Sequence, residues 1–133
     1  MFKKVNHIGI AVKNMDEART FWNTMYGVET PPPITAKDMQ ICMIRLGDVL
    51  IELLAPVGEG VISKFIEKRG EGVHHICYEV EDIYSEIKEL AAKGMDLVDK
   101  EPREGVEGKI AFLHPKATHG VLTEICQVRK QGG

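Results

Sequence analysis

The segments HIGIAVKNM (residues 7–15) and HHICYEVEDI (residues 74–83) are near repeats of each other within a chain of 133 residues. Superposing them aligns three pairs of residues: His7 with His75, Val12 with Val80, and Asn14 with Asp82. An internal repeat of this kind indicates that one structural unit is used twice. The chain is therefore expected to contain two equivalent modules.

Each copy predicts a strand followed by a helix. In the first copy, VNHIGIAV is typical of a strand, Asn14 and Glu17 are typical of a helix start, and Gly27 of its end. In the second copy, Asp82 takes the capping position and Gly94 ends the helix. Apolar residues recur at helical spacing in both copies and are expected to be core: Ala18, Phe21, Trp22, Met25, Ile83, Ile87, Leu90 and Ala91.

The remainder of each module predicts further strands. MQICMIRLGDVLIELLAP (residues 39–56) and GKIAFLHPKATHGVLTEICQ (residues 108–127) each contain two apolar strands joined by a glycine-containing turn. Residues 29–30 and 97–98 are each expected to supply one more strand. The TPPPI segment (residues 30–34) is expected to be a loop, since proline cannot donate hydrogen bonds within a sheet. The predicted order is βαβββ, twice.

The fold class that follows is α+β, in a single domain covering residues 1–133. With 44% apolar residues, the chain can fill one core. Module one is expected at about residues 3–56 and module two at about 72–128. Between them, residues 57–71 form a connector with a short helix, indicated by these apolar residues: Ile62, Phe65 and Ile66.

Composition excludes several classes of partner. The net charge of −3 comes from interspersed acids and bases, which argues against binding to nucleic acid or to a membrane surface. There is no apolar run of the roughly 20 residues needed to cross a bilayer and no signal-peptide pattern. Three cysteines that lie far apart do not suggest disulfides: Cys42, Cys77 and Cys126. We therefore expect a cytoplasmic protein.

Two glutamates stand in apolar strands, where a carboxylate costs free energy unless it is paired. Glu52 lies in VLIELLAP and Glu124 lies in GVLTEICQ, at corresponding places in the two modules. Alternate residues of a strand face opposite sides, and the repeat aligns His75, rather than His74, with His7. The matched set is His7, Glu52, His75 and Glu124. Two imidazoles and two carboxylates suit a divalent metal ion such as Co²⁺, Mn²⁺, Ni²⁺ or Zn²⁺.

Other residues of the same types have simpler interpretations. His74 is expected near the site or at the surface, and His114 and His119 near the turn of a hairpin. Cys77 and Cys126 share strand faces with His75 and Glu124, but a buried free cysteine usually acts as a small apolar residue.

The motifs together resemble the methylmalonyl-CoA epimerase family of the vicinal oxygen chelate superfamily. HIGIAV opens the first module and IELLAP closes it, while GEGVHHICYEVEDI opens the second and FLHPKATHGVLTEI closes it. FIEKRGEGVHHI (residues 65–76) and the FLHPK segment are specific to the epimerase branch. The resemblance extends from about Val5 to Gln127.

The resemblance implies an eight-stranded curved sheet, made by two modules joined edge to edge around a metal-containing cleft, and commonly a homodimer. It implies metal ligands at His7, Glu52, His75 and Glu124, with Co²⁺ as the favoured ion. The substrate is expected to be an acyl-CoA thioester. Some members have glutamine in place of Glu52.

For the reaction, the resemblance implies removal of the α-proton of methylmalonyl-CoA, giving an enolate that is reprotonated on the opposite face. Two carboxyl groups on either side of the α-carbon suit this inversion. Glu124 is the first candidate base and Glu52 its counterpart. Some epimerases carry another glutamate on the strand before that of Glu52, and here the nearest segment has Gln40.

Three alternatives share the superfamily. Lactoylglutathione lyase (glyoxalase I) has a similar fold and a site with two histidines and two glutamates. A ligand-binding protein of the bleomycin-resistance type would be non-catalytic and needs no complete metal set. An extradiol dioxygenase is disfavoured, because Glu52 would occupy the room that substrate and oxygen need.

Overall fold

The computed structural model describes residues 1–130, which divide into two compact units. One unit comprises residues 7–74, and the other comprises residues 1–6 together with the residues from His75 onwards. The boundaries lie close to those of the predicted modules, although the predicted connector belongs to the first unit. The assignment of residues 1–133 to a single domain stays a prediction.

The first module has the predicted βαβββ order, followed by a helix. Its elements are β1 (Phe2–Ala11), α1 (Met15–Met25), β2 (Ile34–Ala36), β3 (Met39–Leu46), β4 (Val49–Pro56) and α2 (Val61–Arg69). The strand order is β2-β3-β4-β1. β1 pairs with β4 in parallel, whereas β3 pairs with both β2 and β4 in antiparallel fashion. Helix α2 confirms the short helix predicted in the connector.

Helix α1 begins as the sequence predicts. The Asn14 side chain accepts a 2.9 Å hydrogen bond from the Glu17 N–H, which satisfies one of the otherwise unpaired donors of the first turn. Met15 is buried against the sheet, and Trp22 packs beside it. Phe21 and Met25 are exposed, so their assignment to the core was wrong: they lie beyond the edge of the narrow stripe that contacts the sheet.

The two faces of the first module's strands carry separate apolar clusters. The cluster beneath α1 contains Cys42, Ile44, Ile51, Leu53 and Ala55, together with Met15. The cluster beneath α2 contains Ala11, Ile41, Leu54 and Ile62. Because alternate residues of β3 and β4 contribute to opposite clusters, the side of the sheet on which a residue lies follows from its position in the strand.

The second module repeats the βαβββ order. Its elements are β5 (Gly72–Val80), α3 (Ile83–Ala92), β6 (Arg103–Glu104), β7 (Gly108–Leu113) and β8 (Thr123–Val128). The strand order is β5-β8-β7-β6, with β5 and β8 parallel and the other pairs antiparallel. The α+β class and the twofold βαβββ order are therefore confirmed.

Helix α3 is capped and packed like α1. The Asp82 carboxylate accepts hydrogen bonds from the backbone N–H groups of Tyr84 and Ser85, at 3.0 and 3.2 Å. Its buried face meets the sheet through a cluster of five residues: Val80, Ile83, Ile87, Ala111 and Ile125. An apolar cluster thus joins α3 to these strands, whereas Ala91, which was expected to be core, is exposed.

The additional strand of each module lies elsewhere than predicted. Residues 29–30 are not a strand; the strand starts at Ile34, after the prolines that cannot donate to a ladder. In the second module the strand is Arg103–Glu104, whereas Leu97 makes only an isolated bridge with Leu113. Two consecutive N–H groups, those of Val98 and Asp99, both donate to the Phe112 carbonyl, so a regular ladder does not continue there.

The three cysteines are not joined by disulfides. Cys42, Cys77 and Cys126 are free, as predicted, and all three are buried. Among residues 1–130, no helix combines the length and apolarity needed to cross a membrane.

Candidate functional site

The first module places His7 and Glu52 on one face of neighbouring strands. In the parallel β1–β4 ladder, Gly9 lies opposite Glu52, two residues beyond His7. The His7 Nε2 atom lies 3.5 Å from the Glu52 Oε1 atom, and both residues are buried. The predicted association of these two residues is thus present within the first module.

The second module repeats this arrangement with His75 and Glu124. In the parallel β5–β8 ladder, Cys77 lies opposite Glu124, again two residues beyond the histidine. The His75 Nε2 atom lies 3.0 Å from the Glu124 Oε1 atom. Each module therefore carries one imidazole and one carboxylate in the same ladder register.

Burial distinguishes these four side chains from ordinary surface acids and histidines. His7, Glu52, His75 and Glu124 are between 4% and 7% exposed. A carboxylate removed from water to this extent costs several kcal/mol unless a positive or hydrogen-bonding group compensates for it. Each pair offers one nitrogen and one oxygen donor, a set that suits divalent first-row metals.

The surroundings of the second pair are partly aromatic. Phe112 lies opposite Glu124 in the β7–β8 ladder, and its ring meets the His75 ring edge to face with centroids 5.7 Å apart. Cys77 is completely buried beside the pair. A hydrogen bond with the Cys126 thiol, burial, and the nearby Glu124 charge all raise the pKa of the Cys77 thiol. The thiol therefore remains protonated, in agreement with its interpretation as an apolar residue.

Gln40 does not lie on the side of Glu52. It pairs with Ala55, whose side chain belongs to the cluster beneath α1, whereas Glu52 pairs with Met43. Directly opposed residues in an antiparallel ladder share a face, so Gln40 and Glu52 point to opposite sides of the sheet. Gln40 therefore does not occupy a position beside Glu52 from which a second acid/base could act.

The other histidines have roles outside the two pairs. The His74 ring contacts Phe65 of α2, with centroids 4.9 Å apart. His114 precedes the 3₁₀ turn at Pro115–Ala117, and its Nδ1 accepts a hydrogen bond from the Lys116 N–H. His119 lies in the same β7–β8 connection, as predicted, with a positive φ of 59°.

Phe112, Arg103 and Asp99 were not predicted from the sequence. Strand parity could have identified Phe112, because the hairpin places it opposite Glu124. No comparable signal pointed to Arg103 or Asp99, since their association depends on the path of residues 97–103.

Comparison with known proteins assigns the class. Residues 6–112 match the family model described as the Glyoxalase/Bleomycin resistance protein/Dioxygenase superfamily. The chain belongs to this superfamily.

Particular relatives narrow the assignment. An ethylmalonyl-CoA/methylmalonyl-CoA epimerase of Cereibacter sphaeroides is 40% identical over 134 residues, covering 96% of this chain and 100% of that protein. The mitochondrial methylmalonyl-CoA epimerase of Dictyostelium discoideum is 35% identical over 127 residues, covering 92% of this chain and 76% of that protein.

A solved structure agrees with these relatives. A single-substitution variant of Streptomyces coelicolor methylmalonyl-CoA epimerase, in complex with 2-nitronate-propionyl-CoA, superposes with a TM-score of 0.91 at 31% identity. The match covers 100% of this chain and 99% of that chain. The resemblance to methylmalonyl-CoA epimerases inferred from the motifs is thus confirmed.

Proposed function

We propose that this protein epimerises methylmalonyl-CoA, interconverting the (R) and (S) forms by removing and returning the α-proton. The observation that carries the proposal is the occurrence of the same buried histidine–glutamate pair in both modules, at 3.5 and 3.0 Å. Relatives named as epimerases, at 35% and 40% identity, support the reaction and the acyl-CoA thioester as substrate.

The proposed cofactor is one divalent metal ion held by His7, Glu52, His75 and Glu124. The chemistry of the donors supports it: two imidazole nitrogens and two carboxylates, nearly excluded from water, gain most from a cation that offsets their burial. Co²⁺ is the favoured ion, with Mn²⁺, Ni²⁺ or Zn²⁺ as alternatives. Such an ion, when bound, supplies Lewis-acid stabilisation of the charge that develops on the thioester oxygen.

The chain itself must move the proton. We propose that a carboxylate oxygen of Glu124 receives the α-proton from one face, and that Glu52 exchanges a proton with the other face. No carboxylate of β3 can substitute for Glu52, since the residues of β3 on the Glu52 face are Met39, Ile41, Met43 and Arg45. Strand β3 therefore supplies no alternative residue for the second acid/base.

The apolar surroundings of the second histidine–glutamate pair favour the proposed reaction. Packing Phe112 against His75 and burying Cys77 keep water from one side of the second pair. Exclusion of water strengthens the electrostatic interactions that stabilise an enolate and limits its protonation by solvent. A homodimer and a cytoplasmic location complete the proposal, on the basis of the family resemblance and the composition.

Exchange of the α-hydrogen with solvent deuterium tests the proposal directly. The purified protein, with Co²⁺ or with chelator, is incubated with methylmalonyl-CoA in D₂O, and mass spectrometry follows incorporation. We expect rapid exchange that requires metal and falls at least about 100-fold in Glu124→Ala, because a positioned base contributes about 10² to 10⁴. Glu89→Ala, at an exposed position of helix α3, is the control and should match the wild type.

Absence of exchange with every metal would refute the epimerase proposal. Hemithioacetal isomerisation, the reaction of lactoylglutathione lyase, should be undetectable in the same preparation. Analysis of metal in protein purified without added metal distinguishes an enzyme from a ligand-binding protein of the bleomycin-resistance type, which needs no ion.

A further inference from the structure

Arg103 lies on the aromatic ring that flanks the second histidine–glutamate pair. Its guanidinium carbon is 5.4 Å from the centroid of the Phe112 ring, within the range of a cation–π interaction. The Phe112 ring in turn contacts His75. Three side chains from three strands thus form a continuous row from a buried imidazole to an exposed cation.

Asp99 holds the guanidinium in this position. The Arg103 Nε atom lies 3.1 Å from Oδ1 of Asp99, and Nη2 lies 3.3 Å from Oδ2. The same Oδ2 accepts a 2.9 Å hydrogen bond from the backbone N–H of Phe112. The Arg103 side chain is 56% exposed and that of Asp99 only 16%. The Asp99 carboxylate is therefore mostly buried and fixes the position of Arg103, whereas the guanidinium remains accessible to a ligand.

The ladder register places Arg103 on the face that carries Glu124. Arg103 pairs with Ile110 across β6 and β7, and Ile110 is two residues before Phe112, which pairs with Glu124. Glu104, the next residue, pairs with Lys109 on the opposite face, where Lys109 lies over the Tyr84 ring of α3. The cation is thus directed to the side of the histidine–glutamate pair, away from α3.

The negative charges on the face that carries Glu124 favour a cation beside them. Glu124 and Asp99 are both carboxylates, and an acyl-CoA of the malonyl type brings a further carboxylate and several phosphates. A guanidinium has five N–H donors, more than the two atoms that Asp99 engages, and its fork matches oxyanions well. We propose that Arg103, seated on Phe112 and anchored by Asp99, binds an anionic oxygen of the acyl-CoA substrate. This inference rests on the proposed function.

The alternative is an ordinary surface ion pair, which contributes little to stability. Such a pair would leave substrate affinity unchanged. Arg129→Gln is the matched control, because Arg129 is 57% exposed and also paired with a carboxylate, that of Glu104. The two substitutions remove the same charge from similarly exposed side chains.

The experiment compares kcat and KM for wild type, Arg103→Gln, Arg103→Lys and Arg129→Gln. We expect Arg103→Gln to raise KM for methylmalonyl-CoA about tenfold, as for loss of one charged hydrogen bond, while kcat changes less than about threefold. Arg103→Lys should restore part of the affinity, because it keeps the charge. Arg129→Gln should behave as wild type.

Methylmalonyl-pantetheine, which lacks the nucleotide phosphates, distinguishes the two sources of the oxyanion. If the KM of Arg103→Gln rises with both thioesters, Arg103 binds the malonyl carboxylate. If the KM rises with the CoA thioester alone, Arg103 binds a phosphate. A KM within about twofold of wild type for Arg103→Gln overturns the inference.

Binding of malonyl-CoA, measured by calorimetry, separates this inference from the proposed function because it requires no turnover. Should the wild type fail to epimerise, the proposed function fails. A Kd for malonyl-CoA that is about tenfold higher in Arg103→Gln than in the wild type would still support the oxyanion contact. An unchanged Kd would refute it, and so would a lack of binding by the wild type.

Discussion

The Nε2 atom of His75 lies 3.0 Å from Oε1 of Glu124, and both residues are almost completely buried. The corresponding distance between His7 and Glu52 is 3.5 Å. In each module the glutamate lies opposite the residue two positions after the histidine. The repeat observed in the sequence is therefore also a repeat of side-chain geometry.

Bound metal should stabilise the protein. An ion present at about 100 times its Kd adds about 2.7 kcal/mol to the unfolding free energy, which for a chain of this size raises Tm by about 10 °C. Differential scanning calorimetry with Co²⁺ and with chelator measures the shift. His75→Asn should lose most of it, whereas His119→Asn, at an exposed position of the β7–β8 connection, should retain it. A full shift in His75→Asn would contradict the proposed ligand set.

Glu52→Gln should separate proton exchange from inversion. The amide keeps an oxygen donor but cannot act as acid or base, so one face of the α-carbon loses its proton donor. Family members with glutamine at this position do not argue against this result, because β3 here carries no other carboxylate on the Glu52 face. We expect epimerisation to fall at least about 100-fold, while Glu124 still exchanges the α-proton of one stereoisomer with solvent. Chiral analysis and mass spectrometry of the same samples measure both rates.

Gln40→Ala serves as the control for that experiment, because Gln40 lies on the opposite side of the sheet from Glu52. Its turnover should equal that of the wild type. If Gln40→Ala rather than Glu52→Gln abolished inversion, the assignment of faces would be wrong.

Packing beneath α1 should dominate the stability of the first module. Leu53 is fully buried, so Leu53→Ala removes its burial and leaves a cavity, at a cost of about 2–5 kcal/mol. Leu46→Ala, at a position 41% exposed on the neighbouring strand, should cost less than about 1 kcal/mol. Urea unfolding of both variants provides the comparison, and equal losses would show that the cluster is not what stabilises this module.

The Cys77 thiol should make stability fall at alkaline pH. Its hydrogen bond with Cys126, its burial and the Glu124 charge raise the pKa of the thiol in the folded protein, whereas an unfolded thiol has a pKa of about 8.5. The contribution is fully present below about pH 8.5 and is lost progressively above it, because only the unfolded chain releases the proton there. The limiting slope is about 1.4 kcal/mol per pH unit.

The free energy of unfolding in guanidinium chloride, measured between about pH 7.5 and 9.5, gives this slope. Cys77→Ala should be flatter than the wild type. Cys42→Ala should differ less, because the nearby Arg19 charge counteracts the effect of burial on the pKa of Cys42. Identical slopes for Cys77→Ala and the wild type would contradict the prediction.

The parts of the fold that were predicted correctly depend on local chemistry. Asn14 and Asp82 cap helices because their side chains reach N–H groups two or three residues away, an interaction that is visible in a single segment. The additional strands were misplaced because their pairing depends on distant partners: Arg103 pairs with Ile110, whereas Leu97 makes only one bridge.

The starts of α1 and α3 could be predicted because capping is a local property, and the twofold repeat pointed to the four candidate ligands. Which side chains come into contact depends instead on the tertiary fold. The register of β3 and β4 places Gln40 and Glu52 on opposite faces. The path of residues 97–103 places Asp99 beside Arg103 and Arg103 over the Phe112 ring. Such contacts depend on the pairing of strands distant in sequence, which no local pattern specifies.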